Sequence, residues 1–147
     1  MTLLPSKDLI LEACAGAIHE PHPILLAAYE LASLHEARAN ADPGTAAEID
    51  CCRLRLVHDI DRWIATAIPA RAAASFLHTE TIGTVVDRLA ELSVAAYAAL
   101  RHDISDLELH DAWHRLAELT IGYTDLAFEV STGRRRLPTP EPERNPS

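Results

Sequence analysis

The chain has 147 residues, of which 48% are hydrophobic and only 5% aromatic, and its formal net charge is −9. A single domain is expected at this length, and a composition rich in Ala and Leu favours helices over sheets. The negative charge argues against nucleic-acid binding, which needs clustered Lys and Arg, and no apolar run reaches the roughly 20 residues of a membrane span.

The N-terminal segment and the cysteines indicate the compartment. The first 20 residues carry acidic groups within their apolar stretch and little positive charge before it, unlike a secretory signal. The three cysteines, Cys14, Cys51 and Cys52, form no CxxC pair, and their odd number argues against a disulfide framework. We therefore expect a cytoplasmic protein without a cofactor.

Two helices are predicted before residue 41. Ser6 can cap a first short helix over about residues 7–18, and the prolines at 21 and 23 then interrupt the chain. The second helix is expected to start at Pro23, which suits a first turn, and to run to about Asn40. Its apolar residues follow the three-four spacing of one helical face.

A turn at Asp42-Pro43-Gly44 is expected to precede the third helix. Thr45 and Glu48 have the spacing of a capping box, which predicts that this helix begins at Thr45 and ends near Ile68, before Pro69. Residues 70–78 are ambiguous and predict either a crossing loop or a short helix.

The fourth and fifth helices have clearer signals. The fourth, from about Glu80 to Arg101, is apolar nearly all round and should be the most buried. Ser105 and Glu108 form a second capping box for a fifth helix, which should reach about Thr132. Gly133 fits its C-terminal cap, and the arginines at 134–136 suit the negative end of its dipole.

These elements predict an all-α fold, a four-helix bundle with an additional short N-terminal helix. A single domain would span residues 1–136. From Leu137 onward the chain has four prolines and no evident core residue, so residues 137–147 are predicted to be a disordered Pro-rich tail.

Metal-binding patterns are incomplete in this sequence. His110 and His114 are one helical turn apart, but a zinc-protease motif would need Glu directly after the first histidine, and Asp111 stands there. A di-iron bundle would need two Glu-x-x-His pairs, and magnesium-dependent helical pyrophosphatases use repeated acidic pairs, of which only Glu108-x-x-Asp111 is present. We therefore predict no metal site and interpret the two histidines as half-exposed residues at a bundle edge.

Charged residues interrupt the apolar helix faces at several points. His35 and Arg38 lie on or beside the stripe of the second helix, and Asp87-Arg88 lies inside the apolar fourth helix. Because buried charges must be paired, we predict at least one interhelical carboxylate–arginine contact that involves Asp87 or Arg88. Such residues form either structural salt bridges or a polar pocket for a small anionic ligand.

The block HTETIGTVVDRLAELSVAAY, residues 78–97, resembles the most recognisable segment of the bacterial family called domain of unknown function 4254. In that family the Thr-Glu-Thr, the Gly and the Asp-Arg-Leu recur in this order. The blocks LASLHEAR and EIDCCRLRLVHDIDRW occupy the places of its other polar segments, and DLAFEVSTGRRRLP resembles the end of actinobacterial members. The resemblance implies a helical bundle without an established activity, and it favours Glu80, Asp87 and Arg88 as site positions, with Thr79 and Thr81 as candidate caps.

Two functions remain open from the sequence. The first is a non-catalytic interaction or assembly protein, a homodimer that can have a further protein partner but binds neither nucleic acid nor membrane. The second is an enzyme or binder of a small anion. It would use a polar cluster made of His35, Glu36, Arg38, Asp59, Arg62, His78, Glu80, Asp87 and Arg88. Convergence of these side chains on one cavity would favour the second function, and separate pairing along helix edges would oppose it.

Overall fold

The computed structural model describes residues 4–68 and 76–138, and nearly all of their regular structure is helical. The five helices are α1 (Lys7–Cys14), α2 (Pro23–Arg38), α3 (Pro43–Ala67), α4 (Ile82–Arg101) and α5 (Asp106–Ser131). Two short strands, β1 (Phe76–Leu77) and β2 (Arg135–Arg136), pair in parallel. The all-α prediction is confirmed.

Helix α1 is shorter than predicted because a glycine ends it. Ser6 caps its start as expected, accepting the Leu9 N–H at 3.3 Å. Gly16 has φ of +103°, and the Ala17 N–H donates back to the Glu12 carbonyl at 2.8 Å. This left-handed closing turn stops α1 at Cys14 instead of near residue 18.

Helix α3 begins earlier than predicted. Asp42 is its N-cap and accepts the Thr45 N–H at 2.8 Å, and Pro43 occupies the first helical position. The predicted turn at 42–44 and the capping box at Thr45 are therefore wrong. The physical reason is that Pro43 has a preset helical φ and no N–H to satisfy, so the helix starts one residue after Asp42.

The ends of α4 and α5 follow their predicted signals. Thr81 caps α4 by accepting the Thr84 N–H at 3.2 Å, so α4 starts two residues after the predicted Glu80. Ser105 caps α5 by accepting the Glu108 N–H at 3.2 Å. At the other end of α5, Gly133 has φ of +75° and closes the helix as expected.

Helix α4 lies at the centre of the molecule, in agreement with its apolar sequence. It packs against α1, α2, α3 and α5, while α2 also contacts α1 and α3, and α5 contacts α1. The largest fully buried side chains are Ile10, Ile24, Leu25, Leu31, Ile82, Val86, Leu89, Ser93 and Tyr123. The Tyr123 hydroxyl donates to the Pro5 carbonyl at 2.6 Å, which ties α5 to the segment before α1.

The segment after α5 is part of the fold up to residue 138. The His78 N–H donates to the Arg136 carbonyl at 2.7 Å, and Leu137 is partly buried against the hydrophobic core. The prediction that core contacts end before Leu137 is wrong, because the β1–β2 pairing returns the chain to the body of the protein. The rest of the predicted tail, residues 139–147, and most of the ambiguous segment 70–78 lie outside the described residues. No helix in the described ranges combines the length and hydropathy needed to cross a membrane.

Candidate functional site

An ion pair joins α4 to α3 in the interior of the helical packing. Arg53 donates from Nη2 to Asp87 Oδ2 at 2.7 Å and from Nε to Asp87 Oδ1 at 3.1 Å. Two parallel bonds between a guanidinium and a carboxylate are the strong form of this interaction. The predicted interhelical contact of Asp87 is confirmed, and its partner is an arginine that the sequence did not single out.

The ion pair is the centre of a larger polar network, which consists of His35, Arg38, Asp50, Arg53 and Asp87. His35 Nε2 on α2 lies 2.8 Å from Asp87 Oδ1. Arg53 also donates from Nη1 to Asp50 Oδ1 at 2.8 Å. Arg38 binds the same carboxylate, from Nε to Oδ1 at 2.8 Å and from Nη2 to Oδ2 at 3.1 Å. The polar network therefore connects α2, α3 and α4.

Charge pairing holds both carboxylates of the polar network ionised. Burial disfavours the charge on Asp87, but the hydrogen bonds from His35 and Arg53 outweigh it and lower the pKa of that carboxyl. The hydrogen bond from Arg38 is the main reason that the pKa of Asp50 falls to about 2. The bond to Asp87 raises the pKa of the Arg53 guanidinium. Each carboxylate in the network is therefore stabilised by the cations that it contacts.

The polar network runs from the interior to the surface. The His35 and Asp87 side chains are 7% and 16% exposed, whereas that of Arg38 is 46% exposed. Each nitrogen of the Arg53 guanidinium donates to a carboxylate of the chain itself. This arrangement fixes the relative rotation of three helices. Arg38 is the most exposed cation of the polar network.

A second polar contact fixes the crossing of α3 and α4. Asp61 Oδ1 accepts the Gly83 N–H at 2.8 Å. A Cβ atom on residue 83 would lie 2.4 Å from the Val57 carbonyl oxygen and 2.7 Å from Asp61 Oδ1, so only glycine fits. Burial raises the pKa of Asp61, which the bonds from Thr81 and Gly83 partly offset.

Asp61 and Arg53 are the residues that sequence reasoning missed. Asp61 stands between two predicted site residues, and it shares a helical face with Val57 and Ile64, at spacings of four and three. That spacing was a usable signal of burial. Arg53 offered no such signal, since α3 contains several arginines and only the rotation of the helix decides which one faces Asp87.

The remaining predicted site residues lie apart from the polar network. Arg88 pairs with Glu80 on the same side of α4, and Glu36 approaches Arg101 at 3.9 Å between two exposed side chains. The backbone of His78 is bonded to the strand pair instead. Asp59 and Arg62 line an open groove of about 480 Å³, together with Trp63, Ala65 and Thr66. Of the nine predicted residues, the polar network contains only His35, Arg38 and Asp87.

The recognisable block at 78–97 is explained by these contacts. Glu80 pairs with Arg88, Thr81 caps α4, Gly83 permits the close crossing, and Asp87 joins the polar network. Each of these residues therefore has an architectural role, whatever else it does.

Metal-ligand residues are dispersed over the described ranges. In residues 4–68 and 76–138, no three His, Cys, Asp or Glu side chains come together as a cation site. The His110 and His114 rings are stacked with centroids 6.2 Å apart on the exposed side of α5. The three cysteines are free thiols, with Cys51 and Cys52 exposed on α3.

Comparison with known proteins gives one match. The model of the family described as Protein of unknown function (DUF4254) matches residues 45–139, which include α4, α5, both strands and all of α3 except its first two residues. Asp50, Arg53, Asp61, Gly83 and Asp87 all lie within the matched residues. No curated protein and no solved structure matches the chain.

Proposed function

Because the chain belongs to the DUF4254 family, whose description includes no activity, we propose its function from its surface: a non-catalytic interaction or assembly protein that self-associates as a homodimer. The observation that carries this proposal is a group of exposed apolar side chains on either side of the α4–α5 connection, Tyr97, Leu100 and Leu107, which we call the end surface. These side chains are 41%, 57% and 76% exposed. Full burial of a side chain of this size contributes on the order of 1.5–3 kcal/mol.

The surroundings of the end surface suit a two-fold interface. Beneath it, the Tyr97 ring packs edge-to-face on Trp113, with centroids 5.4 Å apart, which makes a firm base. At its rim, Glu36 and Arg101 are largely exposed and only 3.9 Å apart. A two-fold axis that passes between the two pairs would bring Glu36 of each copy near Arg101 of the other, and an apolar centre with a polar rim is the usual composition of an interface.

The polar network supports a structural over a catalytic role for the buried charges. The guanidinium of Arg53 forms ion pairs with the carboxylates of both Asp50 and Asp87. A catalytic group would have to reach a substrate, and the most reactive pair, His35 with Asp87, is nearly buried. We also propose that the four long helices form one four-helix bundle, supported by the mutual packing of α2, α3 and α4 and of α5 on α4.

The dimer is tested by measuring the molar mass of the purified chain by light scattering after gel filtration. The expected result is a dimer for the natural chain and a monomer for Leu100→Glu and Leu107→Glu. Leu54→Glu is the matched control, since Leu54 is equally exposed but lies on α3, and it should stay dimeric. A monomeric natural chain, or a dimer that survives both substitutions in the end surface, would refute the proposal.

A second candidate function is binding of a small anion at the outer end of the polar network. Arg38 and Arg53 both bind the Asp50 carboxylate, so an external carboxylate or phosphate that displaced this side chain would have a pair of guanidiniums to bind. The test is a thermal-shift measurement of the natural chain and Asp50→Asn with phosphate and short carboxylic acids. Binding to the native state raises the melting temperature by mass action. No shift in either protein would exclude this function.

We further place the protein in the bacterial cytoplasm and in the actinobacterial branch of the family. The three free thiols suit a reducing compartment, and the segment 125–138 resembles the end of actinobacterial members. Measurement of the thiols in protein isolated under alkylating conditions tests the first statement, which predicts three reduced cysteines.

A further inference from the structure

Helix α5 carries a row of exposed residues, partly apolar, beside the face that packs on the core. Six exposed residues follow one another at spacings of 4, 3, 4, 3 and 4, and we call them the outer stripe: His110, His114, Ala117, Ile121, Thr124 and Phe128. The Ile121 and Phe128 side chains are 61% and 53% exposed. This alternation of spacings is that of a helix that packs along another helix, and 18 residues of helix extend about 27 Å.

Carboxylates follow the outer stripe along one edge. Asp111, Glu118 and Asp125 are all exposed and seven residues apart, so they lie in a row beside the apolar positions. On the other edge, Trp113, Thr120 and Ala127 lean towards the core, and none of them is a cation. Asp111 is paired with Arg115 at 3.1 Å, and the Arg134 guanidinium lies 5.9 Å from the centre of the Phe128 ring. The surface is therefore apolar at Ala117, Ile121 and Phe128 and negative beside them at Glu118 and Asp125.

We propose that the outer stripe docks a basic amphipathic helix of a partner protein. Such a helix lays its apolar face along Ala117, Ile121 and Phe128 and places Lys or Arg side chains opposite Glu118 and Asp125. Helix-in-groove recognition uses apolar anchors at this spacing, and opposite charges along the edge supply specificity and speed of association. The docking residues Ala117, Ile121 and Phe128 lie ten or more residues along α5 from Leu107 of the end surface, so this partner is additional to the homodimer.

Charge decides between this partner and two other occupants. If a second copy of α5 paired with the first in antiparallel orientation, Glu118 would face its own copy and Asp111 would lie near Asp125. Like charges in these positions oppose association. An anionic membrane surface would be repelled by the same carboxylates.

The test uses a synthetic helical peptide of about five turns, with Leu at the apolar positions and Lys at the edge positions. A matched peptide carries Glu in place of each Lys. Binding to the full chain is measured by fluorescence anisotropy at low and at raised salt. The Lys peptide should bind at least tenfold more tightly than the Glu peptide, and salt should weaken its binding.

Variants of the chain distinguish specific docking on the outer stripe from general attraction of a basic peptide to an acidic protein. The double variant Glu118→Lys/Asp125→Lys should reverse the preference, so that the Glu peptide binds better. The control Glu20→Lys/Glu30→Lys changes the net charge by the same amount at exposed positions away from α5, and it should keep the natural preference. Ile121→Glu should lose at least tenfold in affinity while the circular dichroism spectrum and the oligomeric state stay unchanged.

Several outcomes would overturn the docking proposal and leave the homodimer untouched. They are equal binding of the two peptides, an effect of the control variant as large as that of the edge variant, and binding of the chain to phosphatidylglycerol vesicles through Ile121. Conversion of a dimer into a monomer by Ile121→Glu would show that the second copy is the occupant. A monomeric natural chain that still binds the Lys peptide would refute only the homodimer.

Discussion

Gly83 shows how one residue sets the distance between two helices. Its α-carbon lies so close to α3 that a methyl group would overlap the Val57 carbonyl and the Asp61 carboxylate. The same closeness lets Asp61 accept the Gly83 N–H, one of the orphan donors at the start of α4. The glycine of the family block is therefore needed for packing, and its position next to the Thr81 cap allows α4 to start against α3.

We expect Gly83→Ala to lower the free energy of unfolding by about 1–3 kcal/mol, the usual cost of overpacking. The measurement is a urea unfolding curve. Gly122→Ala is the matched control, because Gly122 also lies within a helix but has no atom within 4 Å of an added Cβ. It should raise stability by up to about 1 kcal/mol, since alanine has the higher helix propensity. Equal effects of the two substitutions would contradict the close crossing.

The polar network should make stability depend on acid. The pKa values of Asp87 and Asp50 are lowered in the folded state from the ordinary 3.8, that of Asp50 to about 2. A lowered folded pKa means that the stabilisation is present above pH 4 and is lost as pH falls towards 2. Asp61 has the opposite effect on the pH dependence of stability. Because its pKa is raised in the folded state, its protonation at low pH favours folding.

Asp87→Asn should therefore lower the free energy of unfolding at neutral pH by about 2 kcal/mol, because it removes the negative charge that pairs with His35 and with two of the three Arg53 guanidinium nitrogens. The variant should also lose less stability than the natural chain between pH 4 and pH 2. Thermal unfolding at a series of pH values measures both effects. Parallel curves for the two proteins would show that Asp87 does not contribute to the acid sensitivity.

At the scale of the element, competing cap signals decide where a helix begins. Asp42 and Thr45 each stand at the head of a plausible α3, and both have cap-forming side chains. Asp42 prevails because Pro43 follows it, and the Thr45 N–H then donates to the Asp42 carboxylate. That hydrogen bond is also the main cause of the lowered pKa of Asp42.

Asp42→Ala is expected to lower the free energy of unfolding by about 1 kcal/mol, the typical value for a lost N-cap. Thr45→Ala should change it by only a few tenths of a kcal/mol, as for a surface position. Chemical denaturation of both variants distinguishes the two starts. A larger loss of unfolding free energy for Thr45→Ala than for Asp42→Ala would show that α3 is capped at Thr45 after all.

At the scale of the molecule, the segment that follows α5 closes the fold. Arg135 pairs with Glu129, the His78 N–H binds the Arg136 carbonyl, and Leu137 packs on the core. These contacts link the end of α5 to the strand that precedes α4. Central α4 is thus held from both sides, by α3 through the polar network and by α5 through the apolar core.

Truncation tests this arrangement. A chain that ends at Pro138 should unfold at nearly the same temperature as the full chain, whereas one that ends at Gly133 should lose about 2 kcal/mol. The loss combines the partly buried side chain of Leu137 with the strand hydrogen bonds. Differential scanning calorimetry measures both midpoints. Equal midpoints for the two truncations would mean that residues 134–138 do not contribute to the fold.

Sequence alone determined the features that depend on neighbouring residues. The apolar spacing predicted the helices, and Ser6, Thr81, Ser105 and Gly133 marked their ends, because caps act within one turn of the chain. It also showed that Asp87 needed a partner, since a charge in an apolar helix face cannot remain unpaired.

Tertiary structure alone decided which groups meet. The choice of Arg53 for Asp87, the division of the nine predicted site residues between the polar network and several separate places, and the burial of Asp61 all depend on how the helices are rotated and how closely they cross. The return of Leu137 to the core depends on pairing with a strand almost 60 residues earlier in the chain, at Phe76–Leu77. Such contacts depend on packing between residues that are far apart in sequence, so the local sequence pattern does not predict them.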